Sequence, residues 1–247
     1  MKQSDLVFFV HIPKAAGSTI NHYLENGFGK GYSQVANFIN KRDLFKERAV
    51  EADWLSGHVT YPVIRDLLSE ITNRKIRYFA CMREPKAQVI SHFNWLIEIG
   101  RRTPEFFFGH PPRIQEMSLE IRSADLSKRC AIMHLLLKHR GLFLNCQARV
   151  ILGGQSSNDD AFIQKTISQF EFIGTSDNIG PLLSRIGVSV GEILTKKNTS
   201  HYHFDVDLFE DEEVKRFLCV HNHIDNRLYV ITRRHFDACS QADGCTV

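Results

Sequence analysis

Three short apolar runs set the frame of the chain. Residues 6–12, LVFFVHI, are β-branched and aromatic, continuous rather than alternating, and stop at Pro13. That pattern predicts a strand covered on both faces. Residues 76–82 (IRYFACM) and 170–175 (FEFIGT) repeat it, and Trp54-Leu55 reads as a shorter strand before a Ser-Gly-His turn. Between these runs the apolar positions fall three and four apart. A helix is expected over 18–26, with Ser18 as its N-cap and Ile20 and Leu24 on one face. Pro62 is placed to open another, with Val63, Leu67, Leu68 and Ile71 inward. A third runs over 85–99 through Val89, Ile90, Phe93, Leu96 and Ile97. Further helices are expected at about 126–139, 142–152, 158–169, 209–220 and 223–237, and one capped by Ser176 or Asp177 carries Ile179, Leu182, Leu183 and Ile186. Residues 100–125 begin RRTPEFFFGHPPRI and read as a loop, because prolines and a glycine break the pattern. Its three phenylalanines either line a cleft or plug the core. Buried strands alternating with helices predict an α/β fold around a parallel sheet.

Composition adds little and excludes something. The chain has 247 residues, 43% hydrophobic and 24% charged, which suits one large domain or two small ones. Its net charge of +3 is too small to argue for a nucleic-acid protein, but it allows a local basic pocket. Six cysteines form no CxxC pair, and Cys81 and Cys219, inside apolar runs, read as buried thiols. No run reaches the length of a membrane span, and MKQSD before the first strand leaves no room for a signal peptide. The expectation is a soluble, cytoplasmic chain; a luminal domain lacking its anchor would have the same pattern.

The candidate chemistry sits at the end of the first run, in PKAAGST, residues 13–19. In parallel sheets ligands bind beyond the carboxyl ends of the strands. A glycine, open helix-terminal N–H groups at Gly17, Ser18 and Thr19, two hydroxyls and Lys14 together make an anion cradle. It is not the ATP-binding P-loop, whose lysine stands directly before its Ser/Thr; here Lys14 precedes Gly17 by three positions. The second strand ends in CMREPKAQVISHF, residues 81–93, which brings Arg83 to the same edge and sets Ser91 in the next helix. An arginine fork with a hydroxyl can take a second phosphate. Two anion sites on one edge suit a nucleotide phosphorylated on both its 5′ and 3′ sides.

These two stretches, FVHIPKAAGST and REPKAQVISHF, resemble the paired motifs of sulfotransferases that use 3′-phosphoadenosine 5′-phosphosulfate (PAPS). The likeness is to the carbohydrate branch that includes heparan sulfate 2-O-sulfotransferases, and a bacterial member of that branch is one reading of this chain. LSGH, NCQARVILGG, FEFIGTSDNI and DNRLY spread it along the chain. The resemblance implies a single sulfotransferase domain over 1–247, with a P-loop-like three-layer fold. It implies sulfuryl transfer from PAPS, with PAP as product, to a carbohydrate hydroxyl or a similar small-molecule acceptor, and no obligate metal. Lys14 would stabilise the leaving nucleotide. Ala16, Gly17, Ser18 and Thr19 would hold the 5′-phosphate, and Arg83 and Ser91 the 3′-phosphate. The TKKNTS segment reads either as a solvated loop or as a cover over the nucleotide, through Lys196 and Lys197 with Asn198, Thr199 or Ser200 as donors. His58 in SGHVTY would be the base, with His11 as its rival. Ala15-Ala16, Gln88 and Phe93 depart from the family pattern and loosen any statement about the acceptor.

Two other readings stand beside this one: a divergent P-loop kinase or NTPase, and a nucleotide-binding protein without catalysis. HYH (201–203) and HNH (221–223) have spacings that bind zinc, without the cysteines or carboxylates that usually complete such a site. Arg101, Arg102, Arg113 and Arg122 would either meet an anionic saccharide or lie solvated.

Overall fold

The computed structural model describes residues 5–154, 159–188 and 201–243, with side chains as far as residue 236. In chain order its elements are β1 (Leu6–Val10), α1 (Gly17–Gly27), β2 (Gly31–Tyr32), α2 (Arg42–Glu51), β3 (Trp54–Gly57), α3 (Tyr61–Ile71) and β4 (Ile76–Met82). There follow α4 (Pro85–Ile99), α5 (Pro104–Phe108), α6 (Pro112–Ser123), α7 (Arg129–Lys138), α8 (Arg140–Phe143) and α9 (Cys146–Leu152). The last are α10 (Asp160–Ile167), β5 (Phe172–Thr175), α11 (Gly180–Ile186), α12 (Glu212–His221) and α13 (His223–Asp243). No helix among the described residues is long and apolar enough to cross a membrane.

The five strands form one sheet in the order β2-β3-β1-β4-β5, and every neighbouring pair is parallel. This is the mixed α/β architecture with a central parallel sheet that the apolar runs predict. β1 lies in the middle and all five of its residues are buried, which is why its sequence is apolar without alternation. Val10 is level with Gly57 of β3 and Ala80 of β4. The three strands therefore end together, β4 reaching two residues further. From β1 the chain leaves toward β2 at one edge; from β4 it leaves toward β5 at the other. The gap beyond the carboxyl ends of β1 and β4 is thus the switch point where such sheets bind ligands.

The chain divides into two compact units: residues 1–84, 147–194 and 227–247 in the first, and 85–146 with 195–226 in the second. The first holds the sheet, with an aromatic cluster in which the Tyr61 ring meets Tyr78 at 5.0 Å and Phe170 at 4.5 Å. The second is helical among its described residues and has its own core, in which Phe93, Leu96, Ile121, Ile132, Leu136, Phe143 and Phe209 are fully buried.

Four local expectations are overturned. Residues 100–125 carry α5 and α6, not a loop. Pro104 and Pro112 open these helices, at the position where a proline's fixed φ fits and its missing N–H had no intrahelical partner anyway. Their phenylalanines divide: Phe107 packs on the core, while Phe106 and Phe108 are exposed. Ser18, Ser176 and Asp177 are not caps; Ala16 and Ile179 stand at those positions and offer no side-chain bond. On α3 the buried stripe is Tyr61, Ile64, Leu68 and Ile71, which leaves Val63 exposed. Cys81 is buried as expected, but Cys219 is exposed, one position past the Val214–Leu218 stripe of α12.

Candidate anion-binding site

The turn between β1 and α1 is tightly wound. Lys14 and Ala16 have φ of 63° and 60°, the left-handed region that residues with a Cβ avoid. Each such residue costs about 1 kcal/mol or more, and such strain concentrates where a backbone must present its polar groups in a set direction. Ala16 is the residue before the helix, and Thr19 gives its N–H back to the Ala16 carbonyl at 3.0 Å. Two open donors remain instead of the expected three: among the described residues, the N–H groups of Gly17 and Ser18 meet no acceptor. Both lie at the first turn of α1, where the helix dipole favours an anion. Ser18 is exposed, and Lys14 and Thr19 are half-buried. The helix is tied to the sheet from beneath, because the buried Ser56 hydroxyl of β3 donates to Asn21 Oδ1 at 2.7 Å.

Gly17 is required for a reason other than ligand approach. A Cβ placed there would lie 1.8 Å from His11 Nε2. The bare α-carbon makes room for an imidazole underneath.

That imidazole also touches the candidate base. His58 follows β3, the neighbour of β1, and its ring centroid lies 4.0 Å from that of His11. His58 Nδ1 lies 2.8 Å from the His11 carbonyl oxygen. A carbonyl only accepts, so Nδ1 carries the proton and Nε2 keeps its lone pair. This is the tautomer a general base needs. Loss of hydration lowers the His58 pKa below its ordinary value, and the bond to the carbonyl opposes this in part. His11 is displaced further, down to about 3, by burial first and then by His58 and Lys14. It therefore stays neutral at ordinary pH, and the Lys14 charge is close enough to contribute.

Arg83 stands just beyond the end of β4. Its Nη1 lies 3.5 Å from the Lys14 carbonyl oxygen, a long contact that nonetheless puts the guanidinium on the anion turn. Its backbone is clamped. The Arg83 N–H donates to Gln147 Oε1 at 2.9 Å, and Gln147 Nε2 donates to the Arg83 carbonyl at 2.8 Å. Gln147 is fully buried on α9, so the end of β4 is gripped at both polar groups. Lys14, Ala16, Gly17, Ser18, Thr19, His58 and Arg83 are thus gathered on the edge where β3, β1 and β4 end.

No family model matches the chain, and no curated protein matches it. Among solved structures, a crystal structure of mouse sulfotransferase SULT7A1 complexed with PAP is similar over 98% of this chain and 89% of that one, at 12% identity and a TM-score of 0.34. A likeness of that degree does not let one chain stand for the other.

Ser91 is buried on α4, in the second unit. Lys197 and Thr199, with Lys196, lie outside the described residues. HYH does not form a metal cluster: His203 Nε2 bonds Glu98 at 2.5 Å, and Asn94 takes the His203 N–H at 2.9 Å. No group of three metal-ligating side chains occurs among the described residues. Two contributors escaped the sequence reading, Gln147 and Asn21. Gln147 lies 64 positions from Arg83, too far for any local pattern to pair them.

Proposed function

We propose that this chain is a sulfotransferase that moves a sulfuryl group from PAPS to a hydroxyl of a carbohydrate or similar acceptor. The observation that carries the reading is the Arg83 guanidinium on the Lys14 turn, across the switch point of β1 and β4. Two cationic side chains and two open helix-terminal N–H groups on one rim suit a ligand with separated phosphates. The Gly17 and Ser18 N–H groups would hold the 5′-phosphate, with the Ser18 and Thr19 hydroxyls beside them. The Lys14 ammonium would oppose the charge that grows on the bridging oxygen as the S–O bond breaks. Arg83 would take the 3′-phosphate. His58 Nε2 would accept the proton of the attacking hydroxyl. Positioning and fixed charge supply most of the rate in such an in-line displacement.

Calorimetry with adenosine 3′,5′-bisphosphate and with ATP–Mg²⁺ tests the reading. The bisphosphate is expected to bind and ATP to bind weakly or not at all; the reverse order would favour a kinase or NTPase. Labelled PAPS offered to a panel of saccharides and small hydroxyl compounds then finds the acceptor. Nucleotide binding with no transfer to any of them, unchanged by His58→Ala, would leave a binding protein.

A further inference from the structure

We propose that the His11 imidazole is a positioning residue: a flat wedge held between Gly17 of the anion turn and the ring of His58, which keeps turn and base at one fixed spacing. The catalytic consequence rests on the sulfotransferase reading; the wedge itself is a matter of packing.

Three contacts define it. A Cβ at Gly17 would lie 1.8 Å from Nε2 and 1.9 Å from Cδ2 of His11, so the ring lies directly against the first residue of α1. The same ring lies 4.0 Å from His58, centroid to centroid, at an interplanar angle of 32°. The His58 Nδ1–H ends on the carbonyl of that same residue at 2.8 Å. One residue therefore bears on the turn with its ring and holds the base with both ring and backbone. The chemistry of the ring is idle. Among the described residues no hydrogen bond engages either of its nitrogens, and burial, His58 and Lys14 keep it neutral. What the site uses is its shape. Because Gly17 N–H is one of the two open anion donors, a shift of the wedge moves a phosphate contact and the base together.

The test compares His11→Ala, His11→Phe, Gly17→Ala and the double variant Gly17→Ala/His11→Ala. The first readout is the ring-proton NMR signal of His58 in the unliganded protein, which a stacked ring displaces and which needs no activity. His11→Ala should move that signal toward the position of an unstacked imidazole, and His11→Phe should keep it displaced. In kinetics with PAPS, His11→Ala should lower kcat roughly tenfold to hundredfold, the scale of lost support around a site residue, with a smaller change in KM. His11→Phe should recover most of the loss. Gly17→Ala should weaken binding of adenosine 3′,5′-bisphosphate by forcing its methyl into the ring, and the double variant should regain affinity because the methyl then has a space. A His58 signal that does not move in His11→Ala overturns the wedge. So does a Phe variant as impaired as Ala, which would assign the work to the ring nitrogens. A wild-type chain that binds no bisphosphate overturns the sulfotransferase reading, and the NMR comparison still decides the wedge.

Discussion

His11 shows how one side chain can set the pH response of a fold. It titrates near pH 6.5 when unfolded and at about 3 when folded. Between those values the unfolded chain binds a proton that the folded chain refuses, so stability falls as the pH drops through that window. The slope is about 1.4 kcal/mol per pH unit for one proton. Urea denaturation at pH 7, 6 and 5 should show this loss, and His11→Phe should remove most of it. The pKa of His58 lies below that of an ordinary imidazole, so the acid limb of a rate profile should have its midpoint below the ordinary imidazole value. His58→Ala should cost roughly 10²- to 10⁴-fold in kcat, the range for a lost general base. Lys14→Ala should cost about 10²-fold or more, as for loss of a charge aimed at the leaving oxygen. An equal loss in kcat and kcat/KM would place the Lys14 contact in the transition state.

Among the elements, the grip of α9 on the end of β4 is the most exposed to a single change. Gln147→Ala removes two hydrogen bonds to the Arg83 backbone and leaves a half-buried N–H and carbonyl without that partner. The expected cost is about 1–3 kcal/mol per unserved group at most, with a fall in affinity for the bisphosphate; Gln147→Glu should keep the N–H contact and lose the other. The contrast also shows what a sequence can reveal. β1, β4 and β5 announce themselves as apolar runs because both faces of each are covered, and the boundaries of α4 follow from Pro85 and its stripe. β2 is two residues long, too short to display a period. α5 and α6 were hidden by prolines that break a helix interior but suit its first position. At the candidate site, the placement of Lys14, His58 and Arg83 on one edge was readable because each follows the carboxyl end of a strand in a parallel sheet. The duty of Gly17 was not, because the group it accommodates is a side chain rather than a ligand. Nor was the Gln147 clamp, whose partner lies on another element.

For the whole molecule, a ligand that bridges Lys14 and Arg83 links β1 to β4, two central strands of the first unit. Adenosine 3′,5′-bisphosphate at about a hundred times its Kd should stabilise the folded chain by about 2.7 kcal/mol. The melting temperature should rise accordingly, and ATP–Mg²⁺ should leave it unmoved. The same sheet has a consequence for synthesis. β1 is made first, yet it occupies the centre and pairs only with β3 and β4, which end at Gly57 and Met82. At roughly 5–20 residues per second, an all-apolar pentapeptide leaves the ribosome seconds before both partners exist. Until β3 emerges LVFFV has two unsatisfied edges, and until β4 emerges it still has one, the condition in which strands pair with other chains. The segment that leads into the candidate anion turn is therefore also the one a nascent-chain chaperone would be expected to hold.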